Sequence, residues 1–523
     1  MISNFDLCQS MFSFLKAIHV DSVIICAGAR NAALVQNLDL EKFNKIFYFE
    51  ERSAAFFALG LMKQTRKPVA IITTSGTAAA ELLPATIEAF YQGLPLILIT
   101  ADRPKSYRGS GAPQAIQQIG IYSHYVEQSF DWDIQQENFK VSTCLQKPVH
   151  FNLCFDEPLL DQKKNADSKL NWSLSEKSTL PQANRADFLK IKKPLIIISQ
   201  IQPEQKKTVI EFIKKTNAPV YLEALSLLRN DESISGWVLK SSDRVINKLF
   251  KDQICESVIR IGGVPTLRFW RDLENEFKDI PVFNFTDLQF SGLAKSSHNF
   301  SIDFSMATEN FDELNKKDEY FKKDLILQNL KKDLIKKFSN SEPFFVHQLS
   351  IHIQQQPIYL GNSLPIREWD LFSQSDFGPT QNVYANRGAN GIDGQIATYL
   401  GWSQGLKASW CLVGDLTALY DLAALGLCTA DSADEQKRIV IVNNRGGQIF
   451  KRIFKNDNFV NAHQLEFKNW AQLWKWDYIL IKSVADVEQL ANLKSHRAII
   501  EIQPDAEQTQ NFWDNWDLAC SKF

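Results

Sequence analysis

Short apolar runs alternate with helical patterns along most of the chain, and this alternation predicts its architecture. In the first third, Ser22 to Cys26, Lys45 to Phe49, Val69 to Thr73 and Leu94 to Thr100 read as strands, with helices over Ala54 to Met62 and Ala78 to Tyr91. Met1 to Val20 is an amphipathic helical pattern. The alternation resumes at Pro194, with strands over Leu195 to Ser199, Val220 to Leu222, Ser257 to Ile261 and Val282 to Phe285. It returns once more with Pro357 to Leu360, Ala408 to Val413 and Arg438 to Val442, the last two joined by a predicted helix from Ala418 to Cys428. Strands spaced by helical patterns indicate doubly wound parallel sheets. Asp161 to Lys193, rich in Lys, Asp, Ser and Gln, reads as a linker, and Asn310 to Phe338 as a polar helical segment. The expectation is an α/β protein of three doubly wound parallel-sheet domains, over residues 1–165, 190–310 and 342–523.

Composition narrows the function without naming it. A length of 523 residues suits three domains, and 45% hydrophobic with 23% charged residues suits a globular enzyme. A formal charge of -2 gives no basic footprint for nucleic acid or an anionic membrane. The pairs Lys322-Lys323 and Lys331-Lys332 read as the solvated face of a helix. Eight cysteines without Cys-x-x-Cys spacing argue against a disulfide framework and for a reducing, cytoplasmic setting. No apolar run has membrane-spanning length, and no Walker A loop, Gly-x-Gly-x-x-Gly or His-Glu-x-x-His is present.

The candidate chemistry falls at strand ends, where open parallel sheets bind ligands. The βαβ unit from Ala408 to Val442 places Gly414-Asp415-Leu416 and Asn443-Asn444-Arg445-Gly446 on one sheet edge. A carboxylate, an amide oxygen and a glycine carbonyl suit a hard divalent cation, which takes its remaining ligands from water and substrate phosphates. An Asp helix cap and an Asn turn are the alternative reading. Ser75-Gly76-Thr77 opens a helix with free amides suited to an anion or amide edge, and reads equally as an ordinary cap. Glu51, between a buried strand and an apolar helix, is a carboxylate whose desolvation would raise its pKa. Its alternative is a first-turn glutamate favoured by the helix dipole.

The order of these pieces carries a resemblance. Glu-Glu-Arg-x-Ala, Thr-Ser-Gly-Thr-Ala, Thr-Ala-Asp-Arg-Pro and Gly-Ala-x-Gln-Ala-Ile follow one another in the first third. Gly-Asn-Ser-x-x-x-Arg, Asn-Arg-Gly-Ala-x-Gly-Ile-Asp-Gly, Gly-Asp-Leu-x-Ala-Leu-Tyr-Asp-Leu and Asn-Asn-x-Gly-Gly-Gln-Ile-Phe follow in the last. Together they resemble the thiamine-diphosphate-dependent 2-succinyl-5-enolpyruvyl-6-hydroxy-3-cyclohexene-1-carboxylate synthase family of menaquinone synthesis. The resemblance implies a pyrimidine-binding, a middle and a diphosphate-binding domain, thiamine diphosphate with Mg²⁺ or Mn²⁺, the substrates 2-oxoglutarate and isochorismate, and a homodimer or homotetramer.

By position it also implies roles. Glu51 would hydrogen-bond the aminopyrimidine, Ser75, Gly76 and Thr77 would contact the cofactor, and Ile392 would hold it bent. Gly414, Asp415, Leu416, Asn444 and Gly446 would bind the diphosphate, with Asp415, Asn444 and Gly446 on the metal. Ser363, Arg367 and Arg387 would handle the donor-derived succinyl group. Arg30, Arg103 and Gln114 would serve the acceptor, Arg268 would stand where the family has a lysine, and Ile449 and Phe450 would form an apolar wall. The chain departs from the family at Ala27-Gly28-Ala29-Arg30-Asn31, at Pro113 and at Arg268, all on the acceptor side. A thiamine-dependent 2-oxoacid decarboxylase or carboligase with another acceptor is the alternative function, and a non-catalytic scaffold the third.

Overall fold

A computed structural model describes residues 2–135, 138–160, 169–175, 179–307, 317–353, 355–374, 381–428, 435–454, 456–491, 493 and 495–522. They form two compact units. The first comprises Met1–Ser178, Asn386–Leu406 and Thr417–Glu435, and the second Thr179–Ala385, Lys407–Leu416 and Gln436–Phe523.

The strands of the first unit are β1 (Ser22–Ile25), β2 (Asn44–Phe47), β3 (Val69–Thr73), β4 (Leu96–Asp102), β5 (Ser129–Asp133), β6 (Asn138–Thr143), β7 (Val149–Cys154) and β8 (Lys169–Leu174). Six of them make a parallel sheet in the order β2-β1-β3-β4-β7-β5. The order reverses between β1 and β3, so the loops that follow these two strands flank the sheet's ligand-binding crevice. β6 and β8 pair separately, in parallel. The expected linker from Asp161 therefore contributes a strand, whose partner lies far back in the chain and leaves no local mark. Residues 161–168 and 176–178 lie outside the described residues.

Two predicted helices are broken for identifiable reasons. The Ala78 to Tyr91 pattern divides into Thr77–Ala80 and Leu83–Gln92, because Pro84 has no N–H for the ladder and its ring crowds the preceding turn. The Ala418 to Cys428 pattern is a helix over Asp415–Tyr420 and a 3-10 turn over Ala424–Leu427. Asp421, between them, turns its carboxylate to the amides of Gly394 and Ile396, both at 2.8 Å. Within the same unit the Glu51–Thr65 helix meets the Gln395–Trp402 helix backbone to backbone. A Cβ on Gly60 would stand 1.9 Å from the Thr398 carbonyl oxygen, and one on Gly401 2.1 Å from that of Phe57, so both contacts require glycine.

The second unit contains β9 (Pro194–Ile198), β10 (Val220–Leu222), β11 (Val238–Leu239), β12 (Ser257–Ile261), β13 (Val282–Phe285), β14 (His298–Phe300), β15 (Ile358–Leu360), β16 (Val383–Tyr384), β17 (Ala408–Gly414), β18 (Gln436–Val442), β19 (Asp477–Ile481) and β20 (Arg497–Ile502). They form two parallel sheets, ordered β11-β10-β9-β12-β13-β14 and β16-β15-β17-β18-β20-β19. In the first of these the loops that follow β9 and β12 meet at the switch point: Gly263 N donates to Gln200 O at 2.9 Å, and a Cβ on Gly262 would lie 2.3 Å from that oxygen. In the second, the switch lies between β15 and β17, and the segments that follow them carry Ser363 and Asp415.

Among the described residues, no helix is long and apolar enough to cross a membrane, and all eight cysteines are free. Lys331 contradicts its reading as a solvated lysine. Its side-chain nitrogen donates to the carbonyls of Lys240, Ser241 and Leu371 at 3.0, 3.4 and 2.7 Å, so it is turned to backbone rather than to solvent.

Candidate active site

In the first unit, Glu50 caps the helix that carries Glu51, accepting from Arg52 N and Ser53 N at 3.1 Å each. Glu51 stands in the first turn, half-buried. Burial, with the negative charges of Glu50 and Glu81, pushes its pKa up against the lowering pull of a backbone amide. Next to it, Arg52 donates to the Tyr420 carbonyl at 2.5 Å and lies 3.7 Å from Asp421. Asp421 in turn caps the Gln395–Trp402 helix just beyond Ile392. The helix start that presents Glu51 and the loop that presents Ile392 are thereby tied through one ion pair.

Burial raises the Asp421 pKa from 3.8 to about 6, against Arg52 and the amides it accepts from. A raised folded-state pKa means that this carboxyl contributes stability fully below 3.8 and that the contribution disappears as the pH passes about 6. Wild-type protein should therefore lose up to about 3 kcal/mol of unfolding free energy from this group between roughly pH 4 and 7. In Asp421→Asn that pH-dependent part should vanish from urea titrations; an unchanged slope would refute the assignment.

The segment between Arg387 and Ile392 has its own anchor. Glu88, 3% exposed, accepts from Gly388 N and Ala389 N at 2.7 Å each and from Asn390 N at 3.3 Å. Sequence reading passed over Glu88, whose only sign is a charge on an otherwise uncharged helix. Glu88→Ala would leave these amides without their acceptor, and roughly 2–3 kcal/mol of stability should be lost. A thermal melt of the holoenzyme unchanged from wild type would show that the loop does not depend on this carboxylate.

The loops after β1, β3 and β4 bring the remaining first-unit candidates together. Gly76 (φ +87°) donates its amide to Gln118 Oε1 at 2.8 Å, so this N–H is already engaged, contrary to the expectation of free amides at Ser75-Gly76-Thr77. Gln118 is a buried residue that the sequence did not single out. Gln114 packs against Gly76, whose added Cβ would lie 3.2 Å from Gln114 Cα. Arg103 Nε donates to Pro113 O at 3.1 Å, and the Arg30 amide to Thr74 Oγ1 at 3.3 Å. The Arg30 guanidinium is buried, 3.4 Å from the Phe155 carbonyl and 3.6 Å from Glu157. Asn31, at a position where the sequence departs from the family, accepts from Gly28 N and donates to Cys26 O, both at 2.9 Å. Its amide therefore serves to close the loop that carries Arg30.

In the second unit, the register Gly414↔Val442 sets the ends of β17 and β18 side by side. Asp415 accepts from Leu416 N at 2.6 Å and, through its other oxygen, from Gly446 N at 2.8 Å. Burial pushes its pKa up, and His463 Nε2 stands 3.2 Å away. The two oxygens of Glu342 take the Asn444 amide nitrogen at 3.1 and 2.9 Å. This fixes the orientation of the amide and leaves its oxygen as the group available to a cation. A carboxylate, an amide oxygen and the neighbouring Gly446 carbonyl are a hard-oxygen donor set, so these residues fit Mg²⁺ or Mn²⁺. Glu342 and His463 were not read from the sequence, since each reaches the clamp from a distant segment.

Ser363 (φ +74°) precedes the Leu364–Phe372 helix, and Arg367 Nη1 donates to its carbonyl at 2.7 Å. Burial lowers the Arg367 pKa. Ile449 and Phe450 lie in the Gln448–Phe454 helix, where the Phe450 ring is 42% exposed and faces Phe454. Arg268 follows β12, on the carboxyl side of its sheet. It opens the Arg268–Asp272 helix with its side chain 67% exposed and paired to Asp272 at 2.9 Å, one helical turn on.

Residues 5–121 match the family described as thiamine pyrophosphate enzyme, N-terminal TPP binding domain. The fold is also that of a solved benzoylformate decarboxylase from Polynucleobacter necessarius, with a TM-score of 0.69, 13% identity, and 96% of this chain and 99% of that one covered. Sheet order, strand-end residues and matched segment together define a thiamine-diphosphate-dependent enzyme. Over its full length the chain is 42% identical to a 2-succinyl-5-enolpyruvyl-6-hydroxy-3-cyclohexene-1-carboxylate synthase from Bdellovibrio bacteriovorus, with 99% of each chain covered. A synthase of the same name from Akkermansia muciniphila is 38% identical over 93% of this chain and 94% of its own. The chain belongs to this synthase family.

Proposed function

We infer that the chain catalyses the decarboxylation of 2-oxoglutarate and transfer of the resulting succinyl unit to isochorismate, giving 2-succinyl-5-enolpyruvyl-6-hydroxy-3-cyclohexene-1-carboxylate in menaquinone biosynthesis. The observation that carries this reading is the 42% identity across 99% of both chains to a synthase of that name. Thiamine diphosphate, when bound, supplies the nucleophilic carbon and the electron sink that decarboxylation requires.

In this reading residues 1–165 receive the pyrimidine and residues 342–523 the diphosphate and metal, with 190–310 as the middle domain. Glu51 holds a proton at its carboxyl and shares it with the pyrimidine ring. Ser75, Gly76 and Thr77 contact the cofactor, and Ile392 supplies the apolar surface against which it bends. Asp415, Asn444 and Gly446 hold Mg²⁺ or Mn²⁺, flanked by Gly414 and Leu416 at the diphosphate. Both substrates are polyanions, and arginine forks bind carboxylates bidentately. Arg367 and Arg387 with Ser363 take the donor, while Arg30, Arg103 and Gln114 take the acceptor, against the apolar wall of Ile449 and Phe450. Arg268, exposed and paired within its own helix, is left outside this set. A cytoplasmic homodimer or homotetramer completes the reading and is tested by sedimentation.

The deciding experiment incubates purified protein with thiamine diphosphate, Mg²⁺ and 2-oxoglutarate, and follows 2-oxoglutarate by mass spectrometry with and without isochorismate. Faster consumption with isochorismate, together with the succinyl adduct, is the expected result. Consumption indifferent to isochorismate would redirect the acceptor assignment, and no consumption would overturn the function.

A further inference from the structure

The helix that follows Ser363 and carries Arg367 ends in an arrangement the proposed reaction does not by itself explain. Its last residues are Trp369, Asp370, Leu371 and Phe372, and the backbone leaves at Ser373 in extended conformation (φ -62°, ψ 146°) rather than through a left-handed glycine. Side chains supply the partners that the terminal carbonyls need. Arg229 donates to Trp369 O at 3.2 Å, to Asp370 O at 2.9 Å and to Ser373 Oγ at 3.2 Å. Lys331 donates to Leu371 O at 2.7 Å, and His347 Nδ1 lies 2.8 Å from Phe372 O. These three basic side chains come from three separate segments and meet at the negative end of one nine-residue helix.

The same turn is fastened a second time. The Asp370 carboxylate accepts from Ala224 N at 2.5 Å and lies 3.2 Å from the Thr266 hydroxyl, which also lies 2.6 Å from Glu223. Burial and the neighbouring Glu223 push Asp370 up to about 7.

We propose that Arg229 and Lys331 are positioning residues for the donor substrate: by gripping the C-terminal carbonyls of this helix they set the placement of Arg367 in its middle and of Ser363 at its start. The helix is about 13 Å long and rigid, so a shift at one end displaces the other. Misplacement of a binding group by about 1 Å is enough to change a rate or affinity severely. The inference rests on the reading of Arg367 as a donor ligand.

The test uses the holoenzyme of Lys331→Met, Lys331→Arg, Arg229→Lys and Arg367→Met, with the KM for each substrate measured separately. Lys331→Met, which loses the donor, and Arg229→Lys, which loses the fork, should each raise the KM for 2-oxoglutarate on the order of tenfold. The KM for isochorismate and the affinity for thiamine diphosphate should stay within about twofold of wild type, and Lys331→Arg should restore most of the donor KM. Equal rises for both substrates would mark a general loosening and overturn the proposal. So would an unchanged donor KM in whichever of the two variants folds, provided Arg367→Met raises it. If Arg367→Met itself leaves the donor KM unchanged, the underlying donor reading is what fails.

Discussion

Glu51→Gln should lower turnover by roughly 10²–10⁴-fold while thiamine diphosphate still binds. The substitution preserves shape and the capacity for hydrogen bonding, and removes only the ionisable proton. Two influences compete at this position. The first turn of a helix favours a carboxylate anion, whereas burial and the charges of Glu50 and Glu81 disfavour it, and the second set wins, so the pKa is raised. Glu51 thus keeps its proton to a higher pH than an exposed glutamate, which suits sharing it with a ring nitrogen. The ordinary value is 4.5, so a limb of the wild-type pH profile due to this group should lie above it and be absent from the variant. Turnover at saturating cofactor, with binding followed by tryptophan fluorescence, separates the outcomes. A variant within tenfold of wild type would remove Glu51 from the proton-handling role.

The sequence was most legible where structure is local. Val69–Thr73, Val220–Leu222, Ser257–Ile261 and Val282–Phe285 are strands with the expected bounds, because parallel strands buried on both faces are predominantly apolar. Glycine-rich and acidic motifs at strand ends were legible for the same reason: topology fixes which edge is the ligand edge before any contact is known. Residues that act across long separations were not legible. Glu88 holds amides some three hundred residues away in sequence, Glu342 holds Asn444, and Lys331 looks like a surface lysine until the end of the Leu364–Phe372 helix is placed beside it. β8 was missed because its polar sequence resembles a linker and its pairing with β6 is non-local. Arg268 does open the helix that follows β12, as its spacing suggested, but the pairing with Asp272 one turn on is a contact that spacing alone does not show.

Asp415→Ala should abolish metal-dependent binding of thiamine diphosphate, raising its dissociation constant by more than about 100-fold in the presence of Mg²⁺. Three losses coincide at this residue: a hard-oxygen ligand, the acceptor of Gly446 N and the acceptor of Leu416 N. The second loss matters as much as the first, since Gly446 (φ +127°) is held in a conformation open to few other residues and its carbonyl is itself a proposed ligand. Removing the carboxylate therefore both subtracts one ligand and releases another. Glu342→Gln makes the complementary test. It leaves every ligand in place and weakens the hold on the Asn444 amide, so affinity should fall by only about 10–100-fold. Titration calorimetry with the cofactor and Mg²⁺, and electron paramagnetic resonance of bound Mn²⁺, measure both effects without recourse to turnover. Wild-type Mn²⁺ affinity in Asp415→Ala would move the metal elsewhere. Equal losses in the two variants would mean that orienting Asn444 matters as much to the site as the Asp415 carboxylate itself.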